Sequence, residues 1–324
     1  MFSLNNLTPA PQGAETKQVK MLVLGSGPAG LTAALYAARA ELEPIVLTGM
    51  ELGGQAALTH TIENYPGFPE GVGGAELGEL FQKQAERFGA KVEFDTAQSA
   101  DLSQRPYKIT TENGAYLAET LVIATGARPN HLEVPGETEL TGKGVSYCAT
   151  CDGWFFKEKR VVVVGGGDSA LEEALFLTRF ASSVTIIHRR DSLRAGKVLQ
   201  NRAFNHPKIN FIWNTVVTEV AGTEKVTGLK LKETQTGAES SLETDGLFIF
   251  IGHTPNTQMF KGQLEMDDLG YIQANHFMET SLPGVFVAGE VADSHFRQVI
   301  TSAGMGASAA IQATHFLEKQ TAAA

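Results

Sequence analysis

The run Lys20-Met-Leu-Val-Leu24 leads directly into Gly25-Ser26-Gly27-Pro28-Ala29-Gly30. A short apolar strand meets a glycine-rich turn, and an apolar stretch from Leu31 to Ala40 predicts a helix beyond it. A second strand is predicted over Pro44–Leu47. Strand, G-x-G-x-x-G, helix, strand is the context in which these glycines cradle a dinucleotide. One permits the tight turn, one lets the pyrophosphate approach backbone, and one lets helix and strand pack closely. The helix start then faces the phosphate.

The unit occurs twice. Shifted by 140 positions, Met21–Gly49 lies on Val161–Arg189 without a gap. Gly25 meets Gly165, Gly27 meets Gly167, and Gly30 meets Ala170. Leu31, Ala34, Leu35 and Arg39 meet the identical Leu171, Ala174, Leu175 and Arg179. The second turn, Gly165-Gly166-Gly167-Asp168-Ser169-Ala170, keeps every glycine but the last, where alanine is tolerated. The predicted fold is therefore α/β, with two Rossmann-like dinucleotide-binding domains.

The copies differ where the second strand ends. An NAD site places an acid there for the ribose 2′-hydroxyl. The first copy has Thr48-Gly49; the second has His188-Arg189-Arg190, with Arg194 close behind. Three guanidinium groups at that position suit a 2′-phosphate, which they bind through charge-assisted, often bidentate bonds. NADP(H) is thus expected on the second copy. Around the first copy stand Gly53-Gly54-Gln55, Asn64, and a late Gly289-Glu290 followed by Arg297-Gln298. A strand ending in Gly and an acid suits a polyol or sugar hydroxyl.

Between the two glycine turns lies Cys148-Ala149-Thr150-Cys151-Asp152, which holds the only two cysteines. C-x-x-C spacing suits a reversible disulfide, and a helix starting there would lower one thiol's pKa. Asp152 could carry protons beside the pair. A metal half-site and two merely adjacent buried cysteines are the other readings. Structural zinc needs four ligands, and no second C-x-x-C or H-x-x-H exists. His60, His131, His188 and His253 show no ligand spacing, so no metal is expected.

Composition narrows the class. Of 324 residues, 43% are hydrophobic and 19% charged, as in a core-forming globule. A net charge of −10 speaks against a nucleic-acid footprint. No apolar run reaches the ~18 residues of a membrane span. The polar stretch before Lys20, with Pro9, Pro11 and Gly13, lacks the apolar run of a signal peptide and reads as a flexible tail over residues 1–19. Without an export signal, the C-x-x-C is expected to cycle in the cytoplasm.

Taken in order, the motifs resemble the bacterial-type, low-molecular-weight thioredoxin reductases, a class of pyridine nucleotide-disulfide oxidoreductase. The likeness runs from about Lys20 to Leu317 and includes Thr48-Gly-Met-Glu-Leu-Gly-Gly-Gln55, Glu63-Asn-Tyr-Pro-Gly67, Ala124-Thr125-Gly126 and Ile251-Gly-His-Thr-Pro-Asn256. It implies FAD on the first unit, held by the Thr48–Gln55 loop, Asn64 and the segment from Glu290. The family usually has Asp where Glu290 stands. The likeness also implies NADPH as electron donor, thioredoxin as protein substrate, and a homodimer through the FAD domains. A dithiol oxidase, or a reductase for another carrier, is the alternative enzyme; the intact arginines tell against the oxidase.

Motif order implies interleaving. Residues 20–125 and 254–324 are expected to form the FAD domain, and 126–253 an inserted NADPH domain bearing the cysteines. The crossings are expected at Gly126-Ala-Arg-Pro129 and Gly252-His-Thr-Pro255. Nicotinamide and disulfide would then share one domain and reach the flavin in turn, through rotation of that domain. Chemistry and family together assign transient bonding of the flavin to Cys151, attack on the partner to Cys148, and general acid–base work to Asp152. Trp154-Phe155-Phe156 would by default be core, whereas the resemblance puts Trp154 and Phe155 on a docking surface, with Lys143 a weaker candidate.

Overall fold

The protein is described from a computed structural model, which covers residues 16–50, 52–59 and 61–323. In chain order the elements are β1 (Thr16–Leu24), α1 (Pro28–Arg39), β2 (Ile45–Leu47), α2 (Gly74–Arg87), β3 (Lys91–Glu93), β4 (Ala97–Asp101), β5 (Tyr107–Thr111), β6 (Ala115–Ile123) and β7 (Ala127–Pro129). There follow β8 (Val145–Ser146), α3 (Ala149–Asp152), β9 (Arg160–Val164), α4 (Asp168–Leu177), β10 (Ser183–Ile187), α5 (Lys197–Phe204) and β11 (Ile209–Ile212). The chain ends with β12 (Thr215–Gly222), β13 (Val226–Glu233), β14 (Glu239–Glu243), β15 (Gly246–Ile249), β16 (His253–Pro255), β17 (Val285–Val287) and α6 (Val299–Ala323).

Two compact units result. One is built from the chain up to Arg128 and from Thr254 onward, the other from Pro129–His253. In the first, the sheet order is β3-β2-β1-β6-β5-β4, with β17 pairing parallel to β6. In the second it is β11-β10-β9-β15-β8, parallel throughout. The series β3-β2-β1-β6-β17 and β11-β10-β9-β15-β8 thus repeat one architecture. The sequence repeat is a structural repeat.

Each sheet is covered on both faces, which explains why its central strands are uniformly apolar rather than alternating. On the first unit, α1 and α6 lay an alanine-rich layer, including Ala33, Ala37, Ala309 and Ala313, against Met21, Val23 and Val122. Small side chains let these helices approach closely: Gly306 lies where an added Cβ would come 2.1 Å from the Ala29 carbonyl oxygen. The opposite face is filled by Leu22, Leu24, Ile109, Phe260 and Val287. On the second unit, α4 and α5 cover one face, with Leu171, Leu177 and Phe248. The antiparallel sheet β12-β13-β14 covers the other with Val217, Leu229 and Leu231. Its strands pair antiparallel in sequence order, as two consecutive hairpins.

The first strand is longer than the sequence reading expects. Thr16–Val19 pair in parallel with Ala115–Ala118, and Lys17 meets Glu93 at 2.9 Å. Their polar character reflects alternate exposure at the sheet's end, so these four residues belong to β1 and not to a tail. The rest of the expected tail lies outside the described residues, as do Glu51 and His60. Among the described residues, no helix is long and apolar enough to cross a membrane.

Candidate functional site

The two glycine turns have matching geometry. Gly25 N–H donates to the Leu47 carbonyl at 2.8 Å, and Gly165 N–H to Ile187 at 3.2 Å. A Cβ at Gly25 would stand 2.3 Å from the Ala124 oxygen, and one at Gly165 2.4 Å from the Phe250 oxygen. Gly27 and Gly167 behave oppositely, since an added Cβ at either meets nothing within 4 Å. Each caps the start of its helix, α1 or α4, without side-chain assistance. An open glycine cradle at a helix N-terminus, in both units, fits a pyrophosphate.

The other first-unit residues converge on this turn. Gly53 N–H donates to the Ser26 carbonyl at 3.1 Å, and Gly54 packs on Gly27. Ser26 and Thr48 are buried, linked by Ser26 Oγ to the Thr48 carbonyl at 3.4 Å. Gly289 packs against Ala29 of α1. Asn64 Nδ2 donates to Gln298 Oε1 at 3.2 Å, joining two segments far apart in sequence. Asp293 caps the backbone N–H groups of His295, Phe296 and Arg297, holding that loop. Burial pushes the Glu290 carboxyl up to about 7; the Arg297 charge opposes this and Asp293 adds to it. A half-buried acid of this kind suits a polyol hydroxyl as partner.

Thr125 and Asn256 hold the two chain crossings together. Thr125 Oγ1 donates to the Asn256 carbonyl at 2.8 Å, Asn256 Nδ2 to the Thr125 carbonyl at 2.9 Å, and Asn256 N–H to Gly126 at 2.9 Å. β7 and β16 pair beside them. Asn256 closes the motif Ile251–Asn256, and its reciprocal clamp with Thr125 joins segments 131 residues apart in sequence.

In the second unit the arginine loop folds back on its glycine turn. Arg194 and Ala195 N–H groups donate to the Gly166 carbonyl at 2.7 and 3.2 Å, and Gly196 N–H donates to Asp168 Oδ1 at 2.7 Å. Asn214 N–H holds the Arg190 carbonyl at 3.2 Å, and Thr215 N–H the His188 carbonyl at 3.1 Å. Arg189, Arg190 and Arg194 are exposed, and none forms an ion pair with a carboxylate among the described residues. The His188 ring lies over Gly166, with Nε2 buried and without a hydrogen-bond partner. Burial pushes its pKa down, and the three arginines push the same way. Three free cations beside an orphaned ring nitrogen fit a phosphate-bearing ligand.

Cys148 and Cys151 form a disulfide, with Cα atoms 5.4 Å apart. The helix expected to start here is a single turn, α3, continuing into a 3₁₀ turn over Gly153–Phe156. It is too short to supply a helix dipole. The local donor is Cys151 N–H, which reaches Cys148 Sγ at 3.2 Å, with Thr150 Oγ1 at 3.3 Å. Asp152 faces inward: its Oδ2 accepts from Ser146 Oγ at 2.5 Å, and burial raises its pKa while this hydrogen bond lowers it. The aromatic run divides, with Phe156 in the core while Trp154 and Phe155 are 58% and 44% exposed. Lys143 is exposed too.

A duplicated nucleotide cradle with a redox dithiol on the second copy defines a flavin- and nicotinamide-type disulfide oxidoreductase. The chain belongs to the pyridine nucleotide-disulphide oxidoreductase family, which its residues 19–307 match. It is 50% identical over 300 residues to a thioredoxin reductase of Streptomyces clavuligerus, covering 92% of this chain and 93% of that one. With a thioredoxin reductase of Rickettsia felis it shares 50% over 305 residues, or 93% and 98% of the two chains. Among solved structures, thioredoxin reductase from Streptococcus pyogenes superposes with a TM-score of 0.90 at 42% identity, covering 94% of this chain and 100% of that one. The Giardia duodenalis enzyme gives 0.89 at 40%, covering 93% and 99%.

Proposed function

We propose that this chain is an NADPH-dependent thioredoxin reductase, with FAD on the first unit and NADPH on the inserted one. The observation that carries the reading is the Cys148–Cys151 disulfide next to a half-buried Asp152, on the same unit as the unpaired arginines. When bound, FAD takes electrons two at a time from NADPH and gives them to a disulfide. Gly25–Gly30, Thr48, Gly49, Gly53–Gln55, Asn64, Thr125, Gly126, Gly289, Glu290, Arg297 and Gln298 would hold it. Gly165–Ala170, His188, Arg189, Arg190 and Arg194 would hold NADPH.

Once the dithiol is formed, the Cys148 thiolate attacks one sulfur of the thioredoxin disulfide and a mixed disulfide forms. The leaving thiolate takes its proton from Asp152. Cys151 then attacks Cys148 Sγ, which releases the second thioredoxin thiol and restores the Cys148–Cys151 disulfide. Exposed Trp154 and Phe155 are apolar side chains fit to meet a protein partner. Since nicotinamide site and dithiol share one unit, each must gain the flavin in turn, and the thin double crossing at β7 and β16 suits a rotation. We assign the cytoplasm as compartment and a homodimer as assembly.

Anaerobic mixing of the FAD-loaded protein with NADPH tests the reading: the yellow colour bleaches, and oxidised thioredoxin restores it. Persistence of the colour contradicts NADPH use. Vigorous oxygen consumption without thioredoxin favours the dithiol oxidase.

A further inference from the structure

Ser146 ends β8, in register with Phe248 of β15, and is 5% exposed. Its Oγ has three polar neighbours: Asp152 Oδ2 at 2.5 Å, Cys148 N–H at 3.1 Å and the Cys148 carbonyl oxygen at 3.2 Å. A hydroxyl has one hydrogen to give and two lone pairs to accept with. Cys148 N–H occupies one lone pair throughout. The single hydrogen therefore has two acceptors, the Asp152 carboxylate and the Cys148 carbonyl, and cannot serve both at once.

We propose that Ser146 is a positioning residue for the proton of Asp152, a two-state hydroxyl that satisfies the carboxyl whether charged or neutral. With Asp152 ionised, Oγ–H donates to the carboxylate, a charge-assisted bond. When Asp152 takes up a proton, its own O–H donates to Oγ, and the serine hydrogen turns to the Cys148 carbonyl. No heavy atom moves, and the proton stays on Asp152. The Cys148 carbonyl also accepts Asp152 N–H at 3.2 Å, so the peptide of the attacking cysteine is bonded to both members of the pair. Ser146 thereby links the protonation of Asp152 to the peptide that carries the nucleophile.

The surroundings leave the serine as the hydrogen-bonding group acting on this carboxyl. Only burial and the Ser146 bond displace it from the ordinary carboxylate range. The elements packed on α3 are α4, which carries Asp168, Glu172 and Glu173, and the uncharged 3₁₀ turn Gly153–Phe156. A buried ionisable group without a switching partner must lose a bond in one of its two states. Mounting that partner on a sheet strand fixes its position against the short α3 turn.

This inference rests on the proposed reductase activity, and its test separates the two. Wild type, Ser146→Ala and Ser146→Thr are compared as FAD-loaded enzymes. Bleaching by NADPH reports on the reductase reading alone, since it precedes any work by Asp152. The pH profile of thioredoxin-dependent turnover reports on Ser146. Loss of the donated bond stabilises the neutral carboxyl, so in Ser146→Ala the alkaline limb moves to higher pH and peak turnover falls roughly tenfold. Ser146→Thr, which keeps the hydroxyl, restores both. An unmoved limb in Ser146→Ala, or a threonine variant that behaves like the alanine one, overturns the assignment. Should the alanine variant fail to fold, infrared difference spectra of the wild type give the same answer. The carboxylic band that Asp152→Asn removes lies at a hydrogen-bonded frequency; a free-acid frequency overturns the proposal.

Discussion

Gly25 and Gly27 lie two positions apart and meet opposite constraints. At Gly25 the φ angle is +105° and an added Cβ would collide with the Ala124 carbonyl, so Gly25→Ala is expected to cost about 2–4 kcal/mol of stability. At Gly27 the added methyl points into open space, so Gly27→Ala should melt near wild type yet purify with much less flavin. Thermal melts and flavin-to-protein ratios check both; equal behaviour of the two variants contradicts the cradle. Asp152→Asn removes the proposed proton donor and is expected to slow thioredoxin reduction by roughly 10²–10⁴-fold while bleaching by NADPH persists. The cysteine pair and the carboxyl group beside it were legible in the sequence, because C-x-x-C-D is local. Ser146 was not, since a single serine six positions before Asp152 carries no period or motif. Nor could the sequence tell that the donor to Cys148 Sγ is one N–H group and not a helix.

At the scale of elements, the proposed preference for NADPH rests on the loop from His188 to Arg194. Replacing Arg189, Arg190 and Arg194 together should erode the selection of NADPH over NADH, read as a ratio of kcat/KM values; an unchanged ratio refutes the assignment. The strand β17 and the Glu290 loop after it make a prediction about pH. The Glu290 carboxyl, raised from 4.5 to about 7 in the folded chain, binds its proton more tightly folded than unfolded. Stability from this group is therefore present below pH 4.5 and is lost as pH rises toward 7. In flavin-free protein, Glu290→Gln should flatten that part of the melting profile; an identical slope would show that Glu290 does not titrate there. Both dinucleotide units were readable from glycine spacing and apolar runs. The polar start of β1 was not, because its pairing with β6 extends past the buried sheet, where alternate exposure looks like a tail. The bare run Trp154-Phe155-Phe156 does not say which ring faces inward; the family resemblance set Trp154 and Phe155 apart, and these two are the exposed pair.

For the whole molecule, the order of motifs anticipated a discontinuous first unit, because both of its halves carry pieces of one sheet. The partnership of Thr125 with Asn256 emerges only from the fold, where the two crossings meet. In the proposed division of labour between the units, electrons enter at the arginine loop and leave at Cys148. Accordingly, Cys148→Ser should leave bleaching by NADPH intact and abolish thioredoxin reduction. The most direct measurement is the anaerobic steady-state reaction of the FAD-loaded wild type with oxidised thioredoxin, counting thiols formed against NADPH consumed and repeating with NADH. The account predicts one thioredoxin dithiol for each NADPH and a far slower reaction with NADH. NADPH consumed without thioredoxin thiols, or equal rates with both nucleotides, would contradict it.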